Sequence, residues 1–415
     1  MIPLYLFFNK TQVIHRYFSG LTGDYNDIMK AANQRILALD IFRGITIAGM
    51  ILVNNPGSWK SIYAPLAHAS WNGLTPTDLV FPFFMFIMGI STCISLKKYD
   101  YNLTGATVWK IIKRTVIIFS IGLGIAWFSV FCRTWNSFAG EDISFWSQFC
   151  RSFLTFDQIR ILGVLQRLAL SYCFAALVAI TMKHKHIPWL IAGLLLSYLC
   201  ILLFGSGFEY NEKNILSVVD RAVLGINHIY NDNGIEPEGL LSTIPAIAHV
   251  LIGFYCGKLM LEAKDINEKI QRLFVIGTIL AFSGFLLSYG CPINKKIWSP
   301  TFAIATCGLA SVSLALLILI IDVKGKKAWS RFFESFGINP LFMYVTAGVF
   351  GILFDNIRFT VGEGKSINLH RYIYGEVLQP ALGDYPGSLA YALLFVCLVW
   401  IAGYVLYKKK IYIKI

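Results

Sequence analysis

The chain alternates between long apolar runs and short polar breaks, and the lengths of the runs set the fold class. Ten runs of about 17–23 residues fit the thickness of a bilayer core at helical rise. They cover 36–54, 79–96, 112–131, 160–182, 188–205, 243–261, 272–290, 300–321, 337–354 and 388–407. The pattern predicts an all-α integral membrane protein, a polytopic bundle of about ten transmembrane helices. The third and ninth runs have the least defined edges. Residues 1–34 precede the first run. MIPLYLFF lacks the basic n-region and small-residue cleavage site of a signal peptide. This stretch is expected to be a cytoplasmic tail, or to lie upstream of a true start at Met29, and 35–415 to form a single transmembrane domain.

Composition agrees: 56% of the 415 residues are hydrophobic and 14% charged. Basic residues gather in alternate loops: Lys97, Lys98, Lys110, Lys113 and Arg114; Lys183 and Lys185; Lys264, Lys269 and Arg272; Lys324, Lys326, Lys327 and Arg331; Lys408 to Lys410. By the positive-inside rule these loops and both termini are cytoplasmic. Residues 55–78, 132–159, 206–242, 291–299 and 355–387 then face outward. The net charge of +13 is therefore a topology signal. It is spread over short loops with no stacking aromatics among them, so no nucleic-acid partner is expected. Most of the nine cysteines fall in apolar runs, and no Cys/His spacing suits a metal. Cys132 and Cys150 share an outer loop and are a possible pair. Motifs for dinucleotide binding, a P-loop and a nucleophile elbow are all missing.

Polar residues inside apolar runs, or at their mouths, carry the candidate chemistry. In the first run Asp40 and Arg43 stand three apart and can pair on one helix face, with Asn54 nearly three turns further along the same face. The pair either locks the helix to its neighbours or lines a path for a polar ligand. Reading the fourth run as helical from RILGVLQRL onward puts Arg160 and Arg167 on one face, with Gln166 pointing elsewhere. Two such cations need either an anionic ligand or a carboxylate between them. EPEGLLSTIPAI places Glu236 and Glu238 outside, CPINKKIWSPTF places Asn294, Lys295 and Lys296 outside, and FGINPLFMY puts Asn339 at a helix start. The densest segment is HASWNGLTPTDLVFPFFMFIMG, residues 68–89, where His68, Trp71, Asn72 and Asp78 crowd the entrance of the second run.

Together with LDIFRGITIAGMILVNN, these motifs resemble the heparan-α-glucosaminide N-acetyltransferase family and its compact bacterial relatives, from Arg35 onward. The resemblance implies acetyl transfer from cytoplasmic acetyl-CoA, with no metal, to the amine of a glucosamine-type sugar outside. It implies a bacterial inner membrane setting and places the catalytic residues on His68, Asn54 and Asp78. A neutral imidazole can deprotonate a sugar ammonium, a carboxylate can orient that ring, and an amide can donate to the developing oxyanion. Whether His68 only relays a proton or also carries the acetyl group stays open. Arg43, Arg160, Arg167, Gln166 and Asn339 are expected toward the donor. Trp71, Asn72, Glu238, Asn294 and Lys295 are expected toward the acceptor. Gly122, Gly124 and Ala126 in the third run offer small residues for helix contacts, including a homodimer. An amino-sugar transporter is the alternative, although no internal repeat supports it.

Overall fold

The computed structural model describes residues 36–230, 232–361 and 365–413; the expected N-terminal tail lies outside them. Among the described residues nine helices are long and apolar enough to cross a membrane, and a bent pair supplies a tenth. In chain order the spans are α1 (Leu37–Asn54), α2 (Pro76–Lys97), α3 (Gly105–Ser137), α5 (Val164–Thr181), α6 (Ile187–Phe204), α8 (Thr243–Leu261), α9 (Ile266–Leu287), α10 (Pro300–Leu317), α12 (Pro340–Asn356) and α13 (Asp384–Lys408). The helix of α10 continues as a π-turn to Val323. Shorter helices sit between them, among them α4 (Phe145–Phe153), α7 (Ile215–Leu224) and α11 (Arg331–Ile338). A hairpin of Arg358–Val361 (β1) and Lys365–Asn368 (β2) was not visible in the periodicity.

The five loops expected outside do meet at one end of the bundle. Gly73 N donates to Ile293 O at 2.8 Å, and Trp71 Nε1 to Phe208 O at 2.9 Å. His228 contacts Ile159 O at 2.7 Å, Asn136 donates to Asn356 O at 2.8 Å, and His370 reaches Gly57 O at 3.0 Å.

The centre of the bundle is α2 against α8. A Cβ on Gly89 would stand 2.2 Å from Val250 O, and one on Gly253 2.2 Å from Phe86 O. The backbones therefore touch, as small-residue helix pairs in membranes do. Pro82 interrupts α2, and its carbonyl meets His249 Nε2 of α8 at 2.8 Å.

Two expectations are corrected. The fourth span begins at Val164 behind an extended Gly163 (φ −143°, ψ −170°), so Arg160 lies in a loop and shares no helix face with Arg167. The ninth span is broken: α11 and α12 meet at 78° around Asn339, because Pro340 has no N–H to continue the helix. Cys132 and Cys150 are both free thiols. Gly122 packs on Gln166, whereas Gly124 faces open space.

Candidate functional site

Asp78 is the best-connected side chain at the loop end. Thr75 and Pro76 start α2, and Asp78, in its first turn, turns back to accept from Thr75 N at 3.2 Å and Thr75 Oγ1 at 3.0 Å. This is the reciprocal arrangement that a helix start favours. The same oxygen takes Ala69 N at 3.1 Å, which fixes the backbone beside His68. The other oxygen lies 2.7 Å from His68 Nδ1 and 3.4 Å from Lys295 Nζ. Asp78 is fully buried, while the His68 ring is 36% exposed. An ionised carboxylate needs a donor, so Nδ1 is assigned the ring proton and Nε2 the lone pair, 3.5 Å from Lys295 Nζ.

The other histidine–carboxylate pair at this end lacks that freedom. His370 meets Asp355 at 2.8 Å through Nδ1 and Gly57 O at 3.0 Å through Nε2, so both ring nitrogens are used. Burial opposes its charge, but Asp355 holds its pKa above the ordinary range. It ties the hairpin to the α1–α2 loop.

Loop 291–299 is rigid for reasons in its own sequence. Buried Asn294 donates to Asn72 Oδ1 at 3.1 Å and accepts from Ile297 N at 3.2 Å. Ser299 caps α10 and also accepts from Asn294 N at 3.0 Å. Trp298 adopts φ +51°, a left-handed conformation uncommon for a bulky residue, with its ring fully buried. This frame directs Lys295 to His68 and Lys296 to Asp232, at 2.8 Å.

The structure thus gathers His68, Asp78, Asn72, Asn294 and Lys295. Trp71 stacks on Tyr210 at 4.6 Å and braces the same loops. Asn54 is exposed at the end of α1 and is not among the hydrogen-bonded partners of this cluster. Arg160 pairs with Glu236, through Nε at 3.0 Å and a second contact, and with Glu238. Burial raises Glu236; it would also raise Glu238, but the Arg160, Arg167 and Lys295 charges hold Glu238 below the usual range. The acid partner of Arg160 is therefore this EPEG pair, and Glu236 is a residue that the sequence reading left out of the site.

Arg167 is fully buried, donating to Gly239 O at 3.2 Å and to Ser242, with its guanidinium 5.2 Å from the Trp298 ring centroid. Asp220 accepts from Leu240 N at 2.8 Å in the same corner, and burial pushes its carboxyl up to about 6. Its folded pKa lies above the unfolded one, so this group costs stability progressively as pH rises from about 4 to 6. Asp220→Asn is expected to raise Tm at pH 7, the equivalent of about 1–3 kcal/mol, and to change little near pH 4; thermal unfolding in detergent at both pH values checks this.

Two cavities flank this framework. One, of about 460 Å³, enters from the opposite end of the bundle. Arg43, Tyr99, Lys110 and Arg114 line its polar part, with Ile47, Met50, Phe84, Met88, Leu165 and Leu168 among its apolar walls. The second, of about 850 Å³, is lined by Arg133, Asp157, Arg160, Gln166 and Asn227 among others. They share Val164, Leu165 and Tyr344, which form a septum between them. Of the residues expected toward a donor, Arg43, paired with Asp40, and Asn339 line the first cavity, Arg160 and Gln166 line the second, and Arg167 lines neither. Asn339 spends its amide on the C-terminal segment, donating to Ile411 O at 2.8 Å and accepting from Ile413 N at 2.9 Å. Lys110 and Arg114 were legible only as topology markers. The buried Arg114 Nε has no hydrogen-bond partner among the described residues, and its guanidinium lies 4.7 Å from the Tyr172 ring centroid.

Residues 35–289 match the family described as "Heparan-alpha-glucosaminide N-acetyltransferase, catalytic". The chain is 27% identical to heparan-alpha-glucosaminide N-acetyltransferase of Mus musculus, an alignment that covers 95% of this chain and 63% of the relative. It is also 27% identical to the Homo sapiens protein of the same name, over 93% of this chain and 61% of the relative. It thus spans about three-fifths of the length of the curated relatives it matches. With the match extending over more than half of its residues, the chain belongs to the heparan-alpha-glucosaminide N-acetyltransferase catalytic family.

Proposed function

We propose that the protein is a transmembrane N-acetyltransferase, moving an acetyl group from acetyl-CoA to the amine of a glucosamine-type sugar across a bacterial inner membrane. The observation that carries this reading is the His68–Asp78 pair, in which a buried carboxylate fixes one ring nitrogen of a partly exposed imidazole.

The family resemblance calls for acetyl-CoA, and the chemistry of the first cavity suits it. Lys110, Arg114 and Arg43 offer cations for phosphates, and the unpaired Arg114 Nε is a donor still to be used. The apolar walls beyond them suit a narrow, mostly neutral arm. When bound, the thioester supplies an activated acetyl group. The chain does the rest: Asp78 orients His68, and His68 Nε2 takes a proton from the attacking ammonium as general base. Asn72 at the same end is positioned as a hydrogen-bonding group for the sugar. Asn54 stands exposed at the outer end of α1, where its amide is free to serve the reacting carbonyl. Arg160 and Arg167 are assigned to the framework, because carboxylates and backbone carbonyls already engage them. The positive-inside pattern puts the first cavity on the cytoplasmic side, where the donor is made.

The test is transfer of labelled acetyl from acetyl-CoA to glucosamine by the purified chain in detergent. Arg114→Gln removes one charge-assisted contact and is expected to raise KM for acetyl-CoA about tenfold with little change in kcat. Transport of unmodified glucosamine with no acetylated product would move the assignment to a carrier.

A further inference from the structure

Lys295 puts a primary amine against the residues proposed to deprotonate one. Its Nζ lies 3.0 Å from His68 Nδ1, 3.5 Å from His68 Nε2 and 3.4 Å from Asp78 Oδ1. An amine of the chain itself thus already stands within hydrogen-bond reach of this histidine. The loop that presents it is held by Asn294, Ser299 and the strained Trp298, so the placement is built into the backbone and does not depend on a flexible stem alone.

The neighbouring Lys296 shows the contrast. It sits 2.8 Å from Asp232 and 2.9 Å from Tyr210 Oη, and although burial opposes its charge these partners keep its ammonium above the ordinary range. For Lys295 burial wins over the attraction of Asp78 and Glu238 and draws its pKa below the ordinary lysine value. Two adjacent lysines in one loop thus differ in kind: one is held as a cation, the other is poised to be an amine beside a base.

From this we infer that Lys295 is itself an acetyl acceptor, and that the protein acetylates its own Lys295 when no sugar amine occupies the site. The inference rests on the acetyl-CoA reading above. The step balances without a further reactant. The Lys295 ammonium first loses one proton to solvent. The neutral nitrogen then attacks the thioester carbonyl, an N–C bond forms and the C–S bond breaks. His68 Nε2 takes the second proton and returns it to the departing sulfur, leaving acetyl-lysine and free CoA thiol. Acetylation removes a cation from Asp78 and leaves an acetamide beside His68, where an incoming amine has to stand. The modified enzyme is therefore closed to its acceptor, and a bound acceptor protects Lys295.

The experiment incubates the purified full-length chain with isotopically labelled acetyl-CoA without sugar, follows label on Lys295 and Lys296 by peptide mass spectrometry, and runs glucosamine transfer in parallel. Lys295 is expected to gain label at least about a hundredfold faster than Lys296, the contribution of a positioned base. Glucosamine should suppress that labelling, and protein labelled beforehand should have lost most of its sugar transfer. His68→Gln should abolish the selectivity. The comparison between the two lysines in the wild type decides the matter even if that variant does not fold. Label appearing equally on both lysines, or equally in heat-denatured protein, would overturn the inference as simple chemical acetylation. Acetylated glucosamine with unlabelled Lys295 would overturn it while leaving the proposed function standing. If neither acceptor gains label, both readings fall together.

Discussion

His68→Ala is expected to lower kcat/KM for acetyl transfer to glucosamine by about 100- to 10,000-fold, the usual worth of a positioned general base. A sugar ammonium has no lone pair to attack with until a proton leaves. At the loop end His68 combines partial exposure with a buried carboxylate behind Nδ1, and Nε2 has only the long 3.5 Å contact with Lys295 Nζ among the described residues. His370 has both nitrogens engaged, and His249 is fully buried. The alanine variant should fold, because the ring is part exposed and Asp78 keeps Thr75, Ala69 and Lys295 as partners. Asp78→Asn tests the pair from the other side. It keeps an acceptor for the helix start but takes away the charge that fixes the ring tautomer, so activity should fall with little loss of stability. Labelled transfer by purified wild type and both variants is the measurement. Equal rates for wild type and His68→Ala would retire His68 as the base.

The second large effect concerns folding. Gly253→Leu is expected to abolish the monodisperse protein peak in detergent. Its Cβ alone would sit 2.2 Å from Phe86 O, and Gly89 makes the reciprocal approach to Val250 O at 2.2 Å. Backbone atoms cannot give way as a flexible side chain can, so α2 and α8 have to separate. Overpacking in a core costs about 1–3 kcal/mol where neighbours can shift, and more where they cannot. Separation would also pull the Pro82 carbonyl from His249 and tilt the helix whose first turn holds Asp78. Gly124→Leu on α3 is the matched control, since nothing lies within 4 Å of a Cβ there, and its elution profile should not change. Loss of the peak in both variants would show that leucine itself, and not the crossing, is the fault.

Span positions were legible because bilayer thickness imposes run lengths that any packing must respect. The Asp40–Arg43 pair was legible because helical geometry alone brings positions three apart together. His68 and Asp78 lie ten residues apart around one helix start, so a local motif carried them too. What the chain hid was non-local. The partners of Arg160 come from a loop 76 and 78 residues away, and no periodicity announces them. The reading of Arg160 and Arg167 as one face failed at Gly163, whose extended backbone starts the helix late. Lys110 and Arg114 were read as markers of orientation, and a basic residue at a membrane edge looks the same in sequence whether it faces solvent or lines a cavity. The meeting of Asn72 with Asn294 and of His68 with Lys295 depended on two loops 222 and 227 residues apart folding onto one end.

The distance between the His68 end and the mouth of the first cavity, at opposite ends of the bundle, has an electrical consequence. In the proposed reaction an ammonium gives up two protons, and one of them finally resides on the thiol of CoA. The amine is assigned to the His68 end of the bundle, and the sulfur to the first cavity, which enters from the opposite end. Either that proton crosses the bundle in company with the acetyl group, and the turnover moves no net charge, or it is supplied from the donor side while both ammonium protons leave on the acceptor side. The second route displaces one elementary charge per turnover, worth about 2.3 kcal/mol for each 100 mV. Turnover in sealed proteoliposomes would respond to an imposed voltage in that case and ignore it in the other, so the route of a single proton decides whether this chemistry is coupled to the energy state of the membrane.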